Sequence, residues 1–298
     1  MPVAVGPAPT PQAVPPDSHQ RAADSTLPEL VIGPAGSAPR FALHELWAYR
    51  GLLYFLVWRD LKVRYTQTVL GVAWAVLQPL LNTVVFTLVF GRLVRIPTDG
   101  VPYPVFALAA LVPWTYVSTA FATAGTSLLN NSNLITKVYF PRLVIPWAPV
   151  CAAGVDFGVG LMLVAAALIG YGQVPSSWAL IAVPASTVMF VLTAAGVGCW
   201  VAALSIQYRA VKHLLPFLST VWMYASPVVY PMSRVPERYR LLYALNPLAG
   251  TVEAFRSSLV GRPVLWGSWA ESAVVAIALF VSGAIYFQRT ERVFADIV

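Results

Sequence analysis

Lys137, Tyr139, Phe140 and Arg142 stand together in the segment Asn130–Arg142, NNSNLITKVYFPR, between two long apolar runs. Two cations beside two rings are the side chains that fasten one protein surface to another. The rings fill a pocket and the charges set register. A second candidate is Asp156, in VDFGVGL, a carboxylate deep within an apolar run. It could serve a proton relay or bond a neighbouring helix. A relay needs a chain of ionisable groups, and no apolar run offers a second deep one, so the packing role is preferred. The third set is aromatic: Trp74, Phe86, Trp114, Tyr116, Phe121, Trp222 and Tyr224 fall within apolar runs, with Ser118, Thr119, Ser219, Thr220 and Ser226 nearby. Rings that face lipid form interface belts. Rings that face a passage suit sugars, whose apolar faces pack on them while hydroxyls find polar partners.

Other chemistries lack their residues. The sequence has no H-E-x-x-H, no G-x-S-x-G and no G-x-x-x-x-G-K-[ST], and the dipeptide Gly-Lys is absent. A transferase working near a membrane face needs converging acid–base groups. The carboxylates available there, Asp99, Glu237, Glu253 and Glu271, form no motif, which leaves a membrane-embedded glycosyl or acyl transferase as the weakest reading. Cys151 and Cys199 lie inside apolar runs and read as small buried residues. If the protein pumps with ATP, another polypeptide must bind that ATP, and Asn130–Arg142 is the natural place to receive it.

The elements that position these residues follow from composition. Charged residues make up 10% of 298 and apolar residues 58%, against about 25% charged in soluble domains. Much of the solvent must be lipid. A span takes roughly 20 apolar residues. Six stretches qualify: Gly71–Phe90, Tyr103–Ala124, Leu143–Ile169, Trp178–Leu204, Leu214–Tyr230 and Trp269–Phe287. The fifth is the shortest and most polar. Gly154, Gly158 and Gly160 in the third and Gly196 and Gly198 in the fourth predict close helix packing.

An even count puts both termini on one side. Ten loop cations lie on that side and seven on the other, which favours cytoplasmic termini. Five of the seven arginines fall in Met232–Ser268, whose apolar segments read as re-entering the membrane edge. The net charge of +7 is therefore membrane-flanking and no argument for nucleic acid. Residues 1–40 are rich in proline and carry no apolar run long enough for a signal peptide or a span, so they read as a disordered tail. Residues 41–66 alternate apolar and polar positions at helical spacing and predict an amphipathic helix on the inner membrane surface.

From about Leu46 onward the pieces taken in order resemble one family. WRDLKVRYTQTVLGVAWAVLQPL, YPVFALAALVPWTYVSTAF, NLITKVYFPRLVIP, VDFGVGL, SPVVYPMSRVPERYRLLYALNPLAGTVEAFRSSLVG and FQRTERVFADIV are similar to successive segments of the permease subunits of ABC-2 type polysaccharide exporters, which carry O-antigen, capsule or teichoic acid. The resemblance implies an all-α membrane domain over 67–298, with six transmembrane helices, the N-terminal interface helix, and two short re-entrant helices between spans five and six, at about 232–262. It implies a coupling helix at about 130–142 whose Asn133, Leu134, Ile135, Lys137, Tyr139, Phe140, Pro141 and Arg142 contact an ATPase subunit. The seven rings named above become candidate lining of a polysaccharide channel. Arg256, with Glu253 and Asn246, becomes a candidate lipid-diphosphate site or outer gate. The implied partners are two ATPase subunits, a second copy of the chain, membrane lipid and a polyprenyl-diphosphate-linked glycan. This chain binds no cofactor on this reading; ATP and Mg belong to the ATPase. The implied location is a bacterial plasma (inner) membrane. An ABC-2 exporter of a small lipophilic drug or lipid shares the fold and is the main alternative.

Overall fold

The computed structural model describes residues 47–66, 71–137, 140–208 and 210–297, and every regular element among them is helical. The tail expected over 1–40 and the start of the expected interface helix fall outside the described residues, as does Tyr139. Ten α-helices are numbered here in chain order. They are α1 (Arg50–Thr66), α2 (Gly71–Phe86), α3 (Tyr103–Asn130), α4 (Ser132–Lys137) and α5 (Val144–Gly170). After these come α6 (Ala179–Gln207), α7 (Val211–Tyr224), α8 (Arg240–Ala244), α9 (Ala249–Leu259) and α10 (Trp266–Ile297).

Length and apolar composition make five of these long enough to cross a bilayer: α2 with its π-helical continuation Thr87–Leu93, then α3, α5, α6 and α10. Five of the six predicted stretches thus fold as continuous apolar helices. A proline lies inside α2, α3, α5, α6 and α7: Pro79, Pro113, Pro149, Pro184 and Pro216. Membrane helices tolerate this because local side chains and neighbours satisfy the freed backbone groups. Thr83 and Thr220, one turn further on, donate to the Pro79 and Pro216 carbonyls at 2.7 and 2.9 Å, although the carbonyls these prolines free are those of Ala75 and Lys212.

The predicted fifth span, Leu214–Tyr230, is different. α7 stops after 14 residues, about 21 Å of helix, which is short of the hydrocarbon core of about 30 Å. Residues 225–230 turn. Pro227 disfavours helix at Ser226. The Asn246 amide donates to the Ala225 carbonyl at 3.0 Å and to the Ser226 hydroxyl at 2.9 Å, supplying from a distance the partners that a continued helix would have given. The two expected short helices follow as α8 and α9.

α3 is the centre of the bundle: 78% of its apolar window is buried, against 6% for the first span. It packs on α5 and α6, α6 packs on α10, and α9 packs on α6, α10 and α3. Close approach explains the glycines only in part. A Cβ at Gly283 would stand 2.3 Å from the Gly196 carbonyl oxygen, and one at Gly196 would stand 2.7 Å from the Phe280 backbone, so α6 and α10 touch backbone to backbone. A Cβ at Gly198 would meet Ala124, and one at Gly160 would meet Val112. Gly154 and Gly158 instead face open space, contrary to the packing expected of them.

Candidate functional site

The segment Asn130–Arg142 folds as the short helix α4 and a turn back into α5. Asn131 ties its start. The amide donates to the Ser127 carbonyl at 2.7 Å, and its oxygen accepts from Arg59 of α1 at 2.7 Å. Ile135 and Phe140 are buried, in one cluster with Leu56 of α1, Leu128, Val144, Ile206 and Phe287. Arg142 donates to the Glu291 carbonyl of α10 at 2.6 Å, while its backbone N–H meets the Glu291 carboxylate at 3.3 Å. The eight residues expected to contact a partner therefore divide. Ile135, Phe140 and Arg142 hold the segment to its own bundle, because a turn between two long helices must bury its apolar side chains. Asn133 and Lys137 are exposed, while Leu134 and Pro141 are half-buried.

The seven rings also divide. Trp222 of α7 packs between Trp114 and Phe121 of α3, with ring centroids 5.9 and 5.6 Å apart, and its indole N–H donates to Asn246 at 3.1 Å. Trp114 and Phe121 are buried and Trp222 is half-buried, so these three fasten α7 to α3. Phe86 packs on Phe90, and Tyr224 is exposed at the end of α7. Trp74 and Tyr116 face a common space described below.

The expected lipid-diphosphate residues form a closed network. Arg256 is 2% exposed. Its guanidinium donates to the Pro227 carbonyl at 2.9 Å, pairs with the Glu253 carboxylate and lies 3.8 Å over the Phe106 ring. Burial lowers its pKa and the Glu253 charge opposes that fall. Glu253 also accepts from the Met232 backbone at 3.3 Å, and Asn246 caps α7 as above. In this conformation the three pin the 232–262 region to the bundle, and the Arg256 head is enclosed rather than open to a ligand. Asp99 and Arg262 pair at 3.5 Å beside them.

Sequence reading missed the partners of Asp156. Arg64 and Tyr65, the last charged and aromatic residues of α1, both bond its carboxylate. Burial, then the bond and charge of Asp156, push the Tyr65 phenol up to about 12, so it is a neutral donor at physiological pH. The only signal in the sequence was an Arg-Tyr pair just ahead of the first span. The triad stands at the rim of a cavity of about 720 Å³ among α1, α2, α3 and α5. Trp74, Gln78, Thr115, Tyr116, Thr119 and Phe157 are among its walls.

Apolar spans wrapped on a buried central helix define an all-α integral membrane protein. The sequence matches the ABC-2 type transporter family over residues 51–260. It is 30% identical over 255 residues to the O-antigen export system permease protein RfbA of Myxococcus xanthus, covering 84% of this chain and 96% of that one. It is 27% identical over 248 residues to RfbA of Klebsiella pneumoniae, covering 83% and 95%. With the polysialic acid transport protein KpsM of Escherichia coli it shares 22% over 253 residues, 78% and 91% of the two chains. The protein belongs to the ABC-2 type transporter family.

Proposed function

We propose that this protein is the permease subunit of an ATP-driven exporter that carries a polyprenyl-diphosphate-linked polysaccharide from the cytoplasmic to the outer face of the plasma membrane. The observation that carries this reading is the similarity to an O-antigen export permease along 96% of that protein's length. ATP and Mg²⁺ bind a separate nucleotide-binding subunit, present in two copies. The absence of a phosphate-binding loop from the sequence agrees with that division of labour.

Two permease copies form the pathway. On this reading the second copy covers α2 and α7, which both turn large apolar side chains outward, Leu77, Leu81 and Val85 on one and Leu214, Phe217 and Val221 on the other. Both termini are cytoplasmic on this reading, with α7 and the segment after it together making the return crossing; support comes from α6 and α10, which both end beside the 130–142 segment, through Ile206 with Ile135 and Glu291 with Arg142. Lys137, Asn133 and Leu134 then meet the ATPase. α1 supports this role because it is bonded to Asn131 from its middle, through Arg59, and to Asp156 near its C-terminal end, through Arg64.

The test is depletion of the protein in its own cell. Lipid-linked glycan should accumulate inside while surface glycan falls. Normal surface glycan with no internal accumulation contradicts the reading, and a gain in sensitivity to lipophilic compounds instead favours a drug or lipid cargo.

A further inference from the structure

We propose that the cavity among α1, α2, α3 and α5 is a binding pocket for a sugar segment of the exported glycan. The proposal rests on the polysaccharide reading above and adds to it a site inside each single permease copy. The volume, about 720 Å³, lies within the roughly 300–1,000 Å³ typical of small-ligand pockets.

Its walls set the ligand class. Gln78, Thr115 and Thr119 line the cavity and make no side-chain hydrogen bond among the described residues. Thr123 is satisfied by the Thr119 carbonyl at 2.7 Å, and the Tyr116 hydroxyl reaches the Val150 carbonyl at 3.4 Å. At the rim, Asp156 accepts from Arg64 and Tyr65. A carboxylate offers about four lone-pair sites and a guanidinium five donors, so both keep capacity after binding each other. Polar groups left unmatched against lipid or an apolar ligand are costly. An isoprenoid or acyl chain would leave them unmatched. A diphosphate would need cationic charge, yet Arg64 is already paired with Asp156 and no second cation lines the cavity among the described residues. A polyhydroxylated ring answers both observations. Its hydroxyls meet the amide, the threonines and the triad, and its apolar face has the half-exposed Trp74 indole to pack on.

The probe is the cell's own lipid-linked glycan. A photo-crosslinking benzoylphenylalanine is placed at Thr119, inside the cavity, or at Leu180, which is 86% exposed on α6. After irradiation the permease is purified and stained for vicinal diols by periodate and hydrazide. The Thr119 protein should carry at least fivefold more stain than the Leu180 protein. A second variant, Ala75→Trp, fills the cavity, and it should lower glycan export at least tenfold in complexes that still copurify with the ATPase.

Stain at Thr119 no higher than at Leu180, in cells that export normally, overturns the pocket and leaves the polysaccharide reading standing. So does a crosslink to a second permease copy without glycan, or full export by Ala75→Trp. Cells in which the unaltered permease exports no polysaccharide overturn the parent reading, and the pocket falls with it.

Discussion

Asp156 shows how one side chain changes meaning with its neighbours. Alone in an apolar helix it reads as a packing residue or a proton site. Paired with Arg64 and Tyr65 it becomes the point where α1 is held to the middle of α5. Asp156→Asn removes the charge that balances Arg64 and should sharply lower transport. The double change Arg64→Asp with Asp156→Arg restores the pair and should recover a substantial part of it, as read by surface glycan at equal permease level. Equal loss in the single and double variants rejects an ion-pair role. Arg256 is the second test at this scale. Arg256→Ala strands Glu253 in a nearly closed site, and breaking such a pair costs about 3–5 kcal/mol. Thermal unfolding of the detergent-solubilised protein should begin at markedly lower temperature; an unchanged midpoint contradicts the structural role given to it.

At the scale of elements, α1 and the 130–142 segment act together. Leu56, Ile135 and Phe140 share one buried cluster, and Arg59 bonds Asn131 beside it. Phe140→Ala should therefore cost stability, about 3–5 kcal/mol for a buried phenylalanine, and appear as less folded permease. Lys137→Glu, on an exposed side chain, should leave permease level unchanged and weaken recovery of the ATPase in copurification. The opposite pattern would exchange the two assignments. Elements of this kind were unevenly legible in the sequence. Five spans could be read from apolar length, because a bilayer imposes length directly. The end of α7 could not, since its cap is Asn246, some twenty residues further on and part of another element. For the same reason the segment between the second and third spans stands out by its residue types, while Ile135 and Phe140 were assigned outward. Residue type marks a ring or an aliphatic as an anchor but does not say which surface it anchors to.

The described helices form a bundle in which the buried α3 is ringed by partly buried ones, with α2 and α7 presenting outward apolar faces. The rings expected to line a channel illustrate the limit of composition at this scale. Trp114, Phe121 and Trp222 close on one another across two helices, whereas Trp74 and Tyr116 border open space. Sequence position gives all five the same weight, and only the packing of α2 and α7 on α3 separates them. The account as a whole is that energy enters from a partner at α4 and α1 and is used to move a glycan past α2. Its most direct test is reconstitution of the permease in proteoliposomes, with and without its cognate ATPase, loaded with lipid-linked glycan from the same cell. The account predicts no ATP hydrolysis by the permease alone, and ATP-dependent movement of glycan across the membrane only when both subunits are present. ATP hydrolysis by the clean permease, or a two-subunit complex that hydrolyses ATP without moving glycan, would contradict it.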